Sequence, residues 1–174
     1  MILFRIVDSR FPFLWESIGQ PPSRWAGEVE APVNVFADTP DGAWAELLRH
    51  EEITDLEDLV GLRTTLWVVE VDRSPAESTT LPAKVLTGDA GSYPRCRRRA
   101  RRIHARGSDG FTAPSAALLP GGARGYRVDS GLKAAPARDG RAIVLFGPRP
   151  DLRAWVACRD GRPDESLLSR VRYP

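Results

Sequence analysis

The sequence predicts one α+β domain spanning residues 1–174, a β core with short flanking helices. Three observations carry this expectation. Strand-type and helix-type periodicities are interspersed along the chain without a regular βαβ alternation, which argues against a doubly wound parallel sheet. No internal repeat and no long Pro/Gly/Ser-rich linker divides the chain. A length of 174 residues with 42% hydrophobic composition suits a single core.

The elements follow in order. Residues 1–8 alternate apolar and polar and read as an opening strand; Arg5 and Asp8 interrupt the run, so it lacks the longer apolar core of a signal peptide. Residues 10–25 are rich in Pro and aromatics and read as irregular. Residues 31–36 form a short strand with Pro32 at its start, where a missing N–H is tolerated. The next helix is the best-marked element. Thr39 caps it, Pro40 fits its first position, and Asp41 suits the positive end of the helix dipole. Ala43, Trp44, Leu47 and Leu48 make its apolar stripe, and it ends near His50.

Residues 55–61 read as a short second helix closed by Gly61, and residues 64–71, β-branched and aromatic-rich, as the clearest strand. A Ser/Thr/Pro loop covers 73–83. A helix is expected over 92–106 with Ser92 near its cap, and a short strand over 111–113. Residues 118–140 hold many Gly, Pro and Ala around Tyr126-Arg127-Val128. Residues 142–147 read as a buried-type strand. Asp151 caps a turn, residues 152–157 end as a strand, and residues 160–174 read as a surface tail with a short helix at 166–171.

Composition excludes several function classes. No run approaches the ~20 apolar residues of a membrane span, so no membrane role and a cytoplasmic location are expected. Cys96 and Cys158 make no disulfide framework, and with only His50 and His104 as imidazoles no metal is expected. The basic residues are 23 arginines against two lysines. Residues 95–106 hold seven arginines and no acid; without them the formal charge of +2 would be −5. Three readings stay open for this block: a solvated helix face, a surface for an acidic partner, or contacts to nucleic-acid phosphates, although no aromatics are interleaved for base stacking.

Three residues are candidates for chemistry. Glu46 lies at the edge of the apolar stripe, about 60° past Ala43 on the helical wheel. It is either a solvated helix glutamate or a carboxylate at a pocket rim, where it would stabilise positive charge on a ribose as a glycosidic bond breaks. Arg24, between Ser23 and Trp25, is one arginine among many, or a fork for phosphate. Ser115, in Ala-Pro-Ser-Ala, caps a turn or hydrogen-bonds a ligand. It lacks a Gly-x-Ser-x-Gly setting and a histidine in relay position, which argues against a hydrolase triad. Gly121-Gly122 matches neither phosphate-loop fingerprint and reads as loop.

Taken together, Ser23-Arg24-Trp25, the run from Val35 to His50 with Glu46, and Ala113-Pro114-Ser115-Ala116 resemble the Arg, Glu and Ser signature of the RES domain family, NAD-consuming toxins of bacterial toxin–antitoxin pairs. The resemblance extends over nearly the whole chain, from Phe4-Arg5-Ile6-Val7 to the Val-Leu-Phe-Gly strand at 144–147 and the strand near Trp155. It implies an ADP-ribosyltransferase-like split β core. It implies NAD as substrate, with the nicotinamide–ribose bond cleaved by water or phosphate (glycohydrolase or phosphorylase). It also implies an Xre-type antitoxin as partner and pairing into a homodimer. In this scheme Arg24 grips NAD, Glu46 stabilises the oxocarbenium-like ribose, and Ser115 holds the ligand.

Two departures accompany it. The family's Tyr, eleven residues before Glu46, falls on Val35, which offers neither a flat ring nor a hydroxyl. Phe36 points to the opposite face of a strand and replaces that Tyr only after a one-residue slip; Trp25 is the other ring that would stack on NAD. Residues 26–30 carry Glu28 and Glu30, which would oppose a pyrophosphate. The alternative is a catalytically degenerate RES-like domain that binds a nucleotide or a protein partner.

Overall fold

Period-two alternation builds the main sheet. The computed structural model describes residues 1–14, 16, 20–28 and 32–173. Its strands are β1 (Ile2–Asp8), β2 (Val33–Ala37), β3 (Thr64–Glu70), β4 (Gly110–Pro114), β5 (Ala123–Val128), β6 (Leu132–Arg138), β7 (Arg141–Phe146) and β8 (Arg153–Gly161). Six of them form one sheet in the order β4-β7-β2-β1-β3-β8, with antiparallel neighbours throughout; β5 and β6 form a separate hairpin. The helices are α1 (Pro40–His50), α2 (Leu56–Gly61), α3 (Ala83–Leu86) and α4 (Tyr93–His104). This is the α+β class expected, with short helices on a β-rich core. Of the segments discussed above, Ala31 of the second strand and Val29 and Glu30 of the 26–30 segment lie outside the described residues.

The sheet has two apolar faces, and each takes alternate residues of the same strands. Val35, Val144, Phe146, Phe111 and Ala113 meet α4, while Phe4, Ile6, Ala37 and Leu66 meet α1. On the opposite face Leu3, Phe36, Val69, Ile143 and Leu145 pack under Phe13, Leu14 and Leu152. A polar group is buried with them: Arg5 Nη1 donates to Asn34 Oδ1 at 3.2 Å, and Asn34 Nδ2 donates to Glu16 Oε1 at 2.7 Å. Burial pushes the Arg5 guanidinium down and the Glu16 carboxylate pulls it back up.

α1 starts as its sequence dictates. Thr39 Oγ1 accepts from Gly42 N at 2.9 Å, and Pro40 supplies a residue that needs no donor. A Cβ at Gly42 would lie 2.8 Å from Thr39 Oγ1, so a larger residue there would dislodge the cap. The first turn also holds the β5–β6 hairpin. Asp41 is buried and accepts from Arg124 N, Nε and Nη2 at 2.8, 3.2 and 3.0 Å; Asp38 accepts from Arg138 Nη1 at 2.9 Å and Arg141 N at 2.7 Å. Residues 118–140 gave no strand pattern because Gly, Ala and Pro have low β propensity. These ion pairs anchor the hairpin to α1, and Gly125, whose Cβ would meet Pro136 O at 2.0 Å, leaves room for the extra residue with which β6 bulges opposite it.

The surface tail expected over 160–174 is corrected by the structure. Leu167 and Val171 are buried against α1 in the core, a 3₁₀ turn covers Glu165–Arg170, and Tyr173 Oη donates to Ile53 O. Two apolar residues four apart were enough to dock a segment whose average composition is polar. The expected 92–106 helix is α4, preceded by a 3₁₀ turn (Ala90–Ser92) that Asp89 caps through Gly91 N. Cys96, Ala100 and Ile103 form its buried side.

Candidate active site

Glu46 sits in the second turn of α1, on the side facing the loop after β4. That loop brings Ser115 to it. Ser115 is buried, and its Oγ donates to Glu46 Oε1 at 3.1 Å. The same oxygen accepts from Ala117 N at 3.2 Å and Leu118 N at 3.1 Å, so it closes the turn and aims its single hydrogen at the carboxylate. The structure shows the turn-capping reading of Ser115 and adds a bond to Glu46 that the sequence did not suggest. The hydroxyl is engaged on every side, which suits a group that fixes Glu46 and does not suit a nucleophile.

One turn on from Glu46, Arg49 is buried among main-chain oxygens. Its Nη1 donates to Ala116 O and Arg172 O, both at 2.8 Å, and its Nη2 to Thr87 O at 2.9 Å and Gly88 O at 3.1 Å. Arg49 thereby joins α1, the Ser115 loop, the turn after α3 and the C-terminal segment. Burial lowers its pKa most, the nearby positive charge of Arg24 lowers it further, and Glu46 raises it.

Arg24 reaches the same turn from the N-terminal segment. Its Nη2 donates to Gly88 O at 2.9 Å, and its Nη1 lies 3.4 Å from Val85 O and 3.3 Å from Ser92 Oγ. The guanidinium lies over the Tyr93 ring, 4.6 Å from its centroid. Arg24 and Arg49 thus share one acceptor, Gly88 O. Arg172 adds a third guanidinium, with Nη1 2.9 Å from Ala116 O. Arg49 lies within electrostatic reach of Arg24, Arg172 and Glu46, so the neighbourhood gathers positive charge beside a single carboxylate. An anion suits the positive charge, and a developing cation suits the carboxylate.

The structure therefore brings Arg24, Glu46 and Ser115 into one neighbourhood, linked through Arg49 and Gly88. The other candidates are placed differently. Trp25 is only 5% exposed and meets Phe111 edge-on at 4.9 Å and 78°. Val35 packs on the same cluster. Phe36, 2% exposed, lies on the far face of the sheet beneath Arg5, as the strand period requires. The ring at this site is Tyr93, half-buried at the start of α4. Sequence reasoning missed Tyr93 and Arg49. Arg49 had one signal, its place three residues after Glu46 on the same helix side; Tyr93 had none.

Among the described residues no three His, Cys, Asp or Glu side chains cluster as metal ligands, and no helix is long and apolar enough to cross a membrane. The RES domain family model matches residues 2–162. A search of curated proteins finds no match. In fold, the chain is similar to a chain of the crystal structure of the M. tuberculosis MbcT–MbcA toxin–antitoxin complex. The TM-score is 0.58 at 13% identity, with 97% of this chain and 86% of that chain covered.

Proposed function

The chain belongs to the RES domain family, and on that premise we propose that it is a toxin that cleaves the nicotinamide–ribose bond of NAD. The observation that carries this reading is the Glu46 carboxylate, fixed by the Ser115 hydroxyl at 3.1 Å beside the Arg24–Arg49 pair. Cleavage leaves the bonding electrons on the nicotinamide nitrogen and a cationic, oxocarbenium-like ribose. Glu46 stabilises that cation, which exists only as the bond breaks, so the interaction lowers the barrier. The forks of Arg24 and Arg49 are taken by main-chain oxygens, so in this reading their positive charge draws the pyrophosphate through the field of the site and not by direct hydrogen bonds. Water then adds at the ribose carbon and releases a proton, or phosphate adds and gives the ribose 1-phosphate product.

A NAD-consuming enzyme needs a brake in its own cytoplasm. The structural likeness to a toxin–antitoxin complex supports an antitoxin partner, and family membership supports the Xre type. The second reading, a domain that binds and does not turn over, is favoured by Val35 and Trp25: Trp25 is buried in the core, Val35 packs half-buried against it, and neither offers NAD a ring face.

NAD consumption by the purified protein, with and without phosphate, decides between them. Glu46→Gln keeps the shape and removes the charge, and the expected loss in kcat is about 100-fold, or about 2.7 kcal/mol of barrier. Phosphate dependence identifies the acceptor. Folded, antitoxin-free protein that leaves NAD intact overturns the enzymatic reading in favour of the binding one.

A further inference from the structure

We propose that the outer face of α4 is a second anion site, built for a short polyphosphate chain and separate from the Glu46 site. Arg95, Arg98, Arg99 and Arg102 recur at i, i+3, i+4 and i+7, which places them on one side of the helix. Together with Leu81 they line a cleft of about 230 Å³. Tyr93 and Arg97 leave the helix in another direction, toward Arg24 and Ser23.

Three features distinguish this face from an ordinary solvated one. None of the four guanidiniums has an ion-pair partner among the described residues. Their spacing sets like charges three and four residues apart, the arrangement that disfavours a helix when nothing neutralises it. Arg99 Nε is also buried without a hydrogen-bond partner, so this guanidinium is held at the cleft wall with no acceptor of the chain to neutralise it.

The lining selects the ligand. Four guanidiniums supply up to five N–H donors each, so the occupant must be dense in acceptor oxygens. Forked donors match phosphate oxygens in pairs. The cleft is smaller than the ~300–1,000 Å³ of pockets for drug-sized ligands. Among the described residues its lining holds no aromatic ring to stack a base. A chain of two or three phosphates meets all of these conditions, as inorganic polyphosphate or as the tail of a nucleotide. A nucleic-acid strand, which needs a longer track, fits less well.

Titration calorimetry of the full chain with sodium tripolyphosphate at physiological ionic strength tests this. The expected result is saturable one-site binding that weakens at least tenfold in R98A/R102A and changes less than twofold in R63A/R153A, a charge-matched pair outside the cleft. ATP binding comparable to tripolyphosphate assigns the site to nucleotide tails, and ATP more than tenfold weaker assigns it to free polyphosphate; either supports the site. Four outcomes overturn it: no saturable binding, equal weakening in both double variants, citrate binding as tightly as tripolyphosphate, or tighter binding of duplex DNA with a steep salt dependence. Binding lost in Arg24→Ala and kept in R98A/R102A also overturns it, by moving the anion to the Glu46 site.

Discussion

Two groups of arginines in this molecule have the same side chain and opposite circumstances. Arg24 and Arg49 are held by main-chain carbonyls of three different segments, and Arg24 also lies over a tyrosine ring. Arg95, Arg98, Arg99 and Arg102 stand side by side on one helix face with no ion-pair partner among the described residues. The first pair is a structural joint that also sets the electrostatics of a site. The second group is charge in waiting. A guanidinium that organises a fold meets backbone oxygens, which it satisfies without being neutralised. One that serves a ligand keeps its donors for something absent from the chain.

Substitutions should separate the two groups, and the largest effect falls at Arg49. Arg49→Ala leaves Thr87 O and Arg172 O without their partner, whereas Gly88 O keeps Arg24 and Ala116 O keeps Arg172. Two orphaned acceptors and the lost packing should cost about 3 kcal/mol in urea denaturation. A loss below about 1 kcal/mol would mean that the joint is not structural. Arg49→Lys should recover only part, because one ammonium cannot reach four carbonyls in the plane of a fork.

A smaller effect is expected at Ser115. Ser115→Ala removes the turn closure at Ala117 N and Leu118 N and frees the Glu46 carboxylate. About 1 kcal/mol of stability should go with the cap. NAD turnover, if Glu46 acts as proposed, should drop about tenfold in kcat, the equivalent of roughly 1.4 kcal/mol. Ser115→Thr, which keeps the hydroxyl, should restore most of the turnover. An unchanged rate in Ser115→Ala would show that Glu46 does not depend on this bond.

The smallest effect, opposite in sign, belongs to α4. Arg98→Ala relieves repulsion from Arg95 and Arg102 and should raise stability by up to about 0.5 kcal/mol. The gain should shrink as salt screens the remaining charges over a Debye length of about 10 Å at 0.1 M. Destabilisation by Arg98→Ala would instead place Arg98 among the structural arginines.

The sequence by itself determined most of the elements and the place of Glu46 at the edge of a buried stripe. Thr39, Pro40 and Asp41 marked the start of α1, apolar runs marked β1, β2 and β7, β-branched and aromatic residues marked β3, and the helical period set Glu46 beside the buried stripe. These are local signals, carried by neighbours within a turn or two, and they survive in any tertiary context. Resemblance to a family then singled out Arg24, Glu46 and Ser115 as candidates. The β5–β6 hairpin, the docking of the C-terminal segment and the role of Arg49 were settled only in three dimensions. Each depends on partners far along the chain: Asp41 with Arg124, Leu167 with α1, Arg49 with Ala116 and Arg172. Such partners leave no period in the sequence, because a carbonyl oxygen belongs to every residue and any arginine has the same donors. What separates one arginine from another is where the fold puts the oxygens.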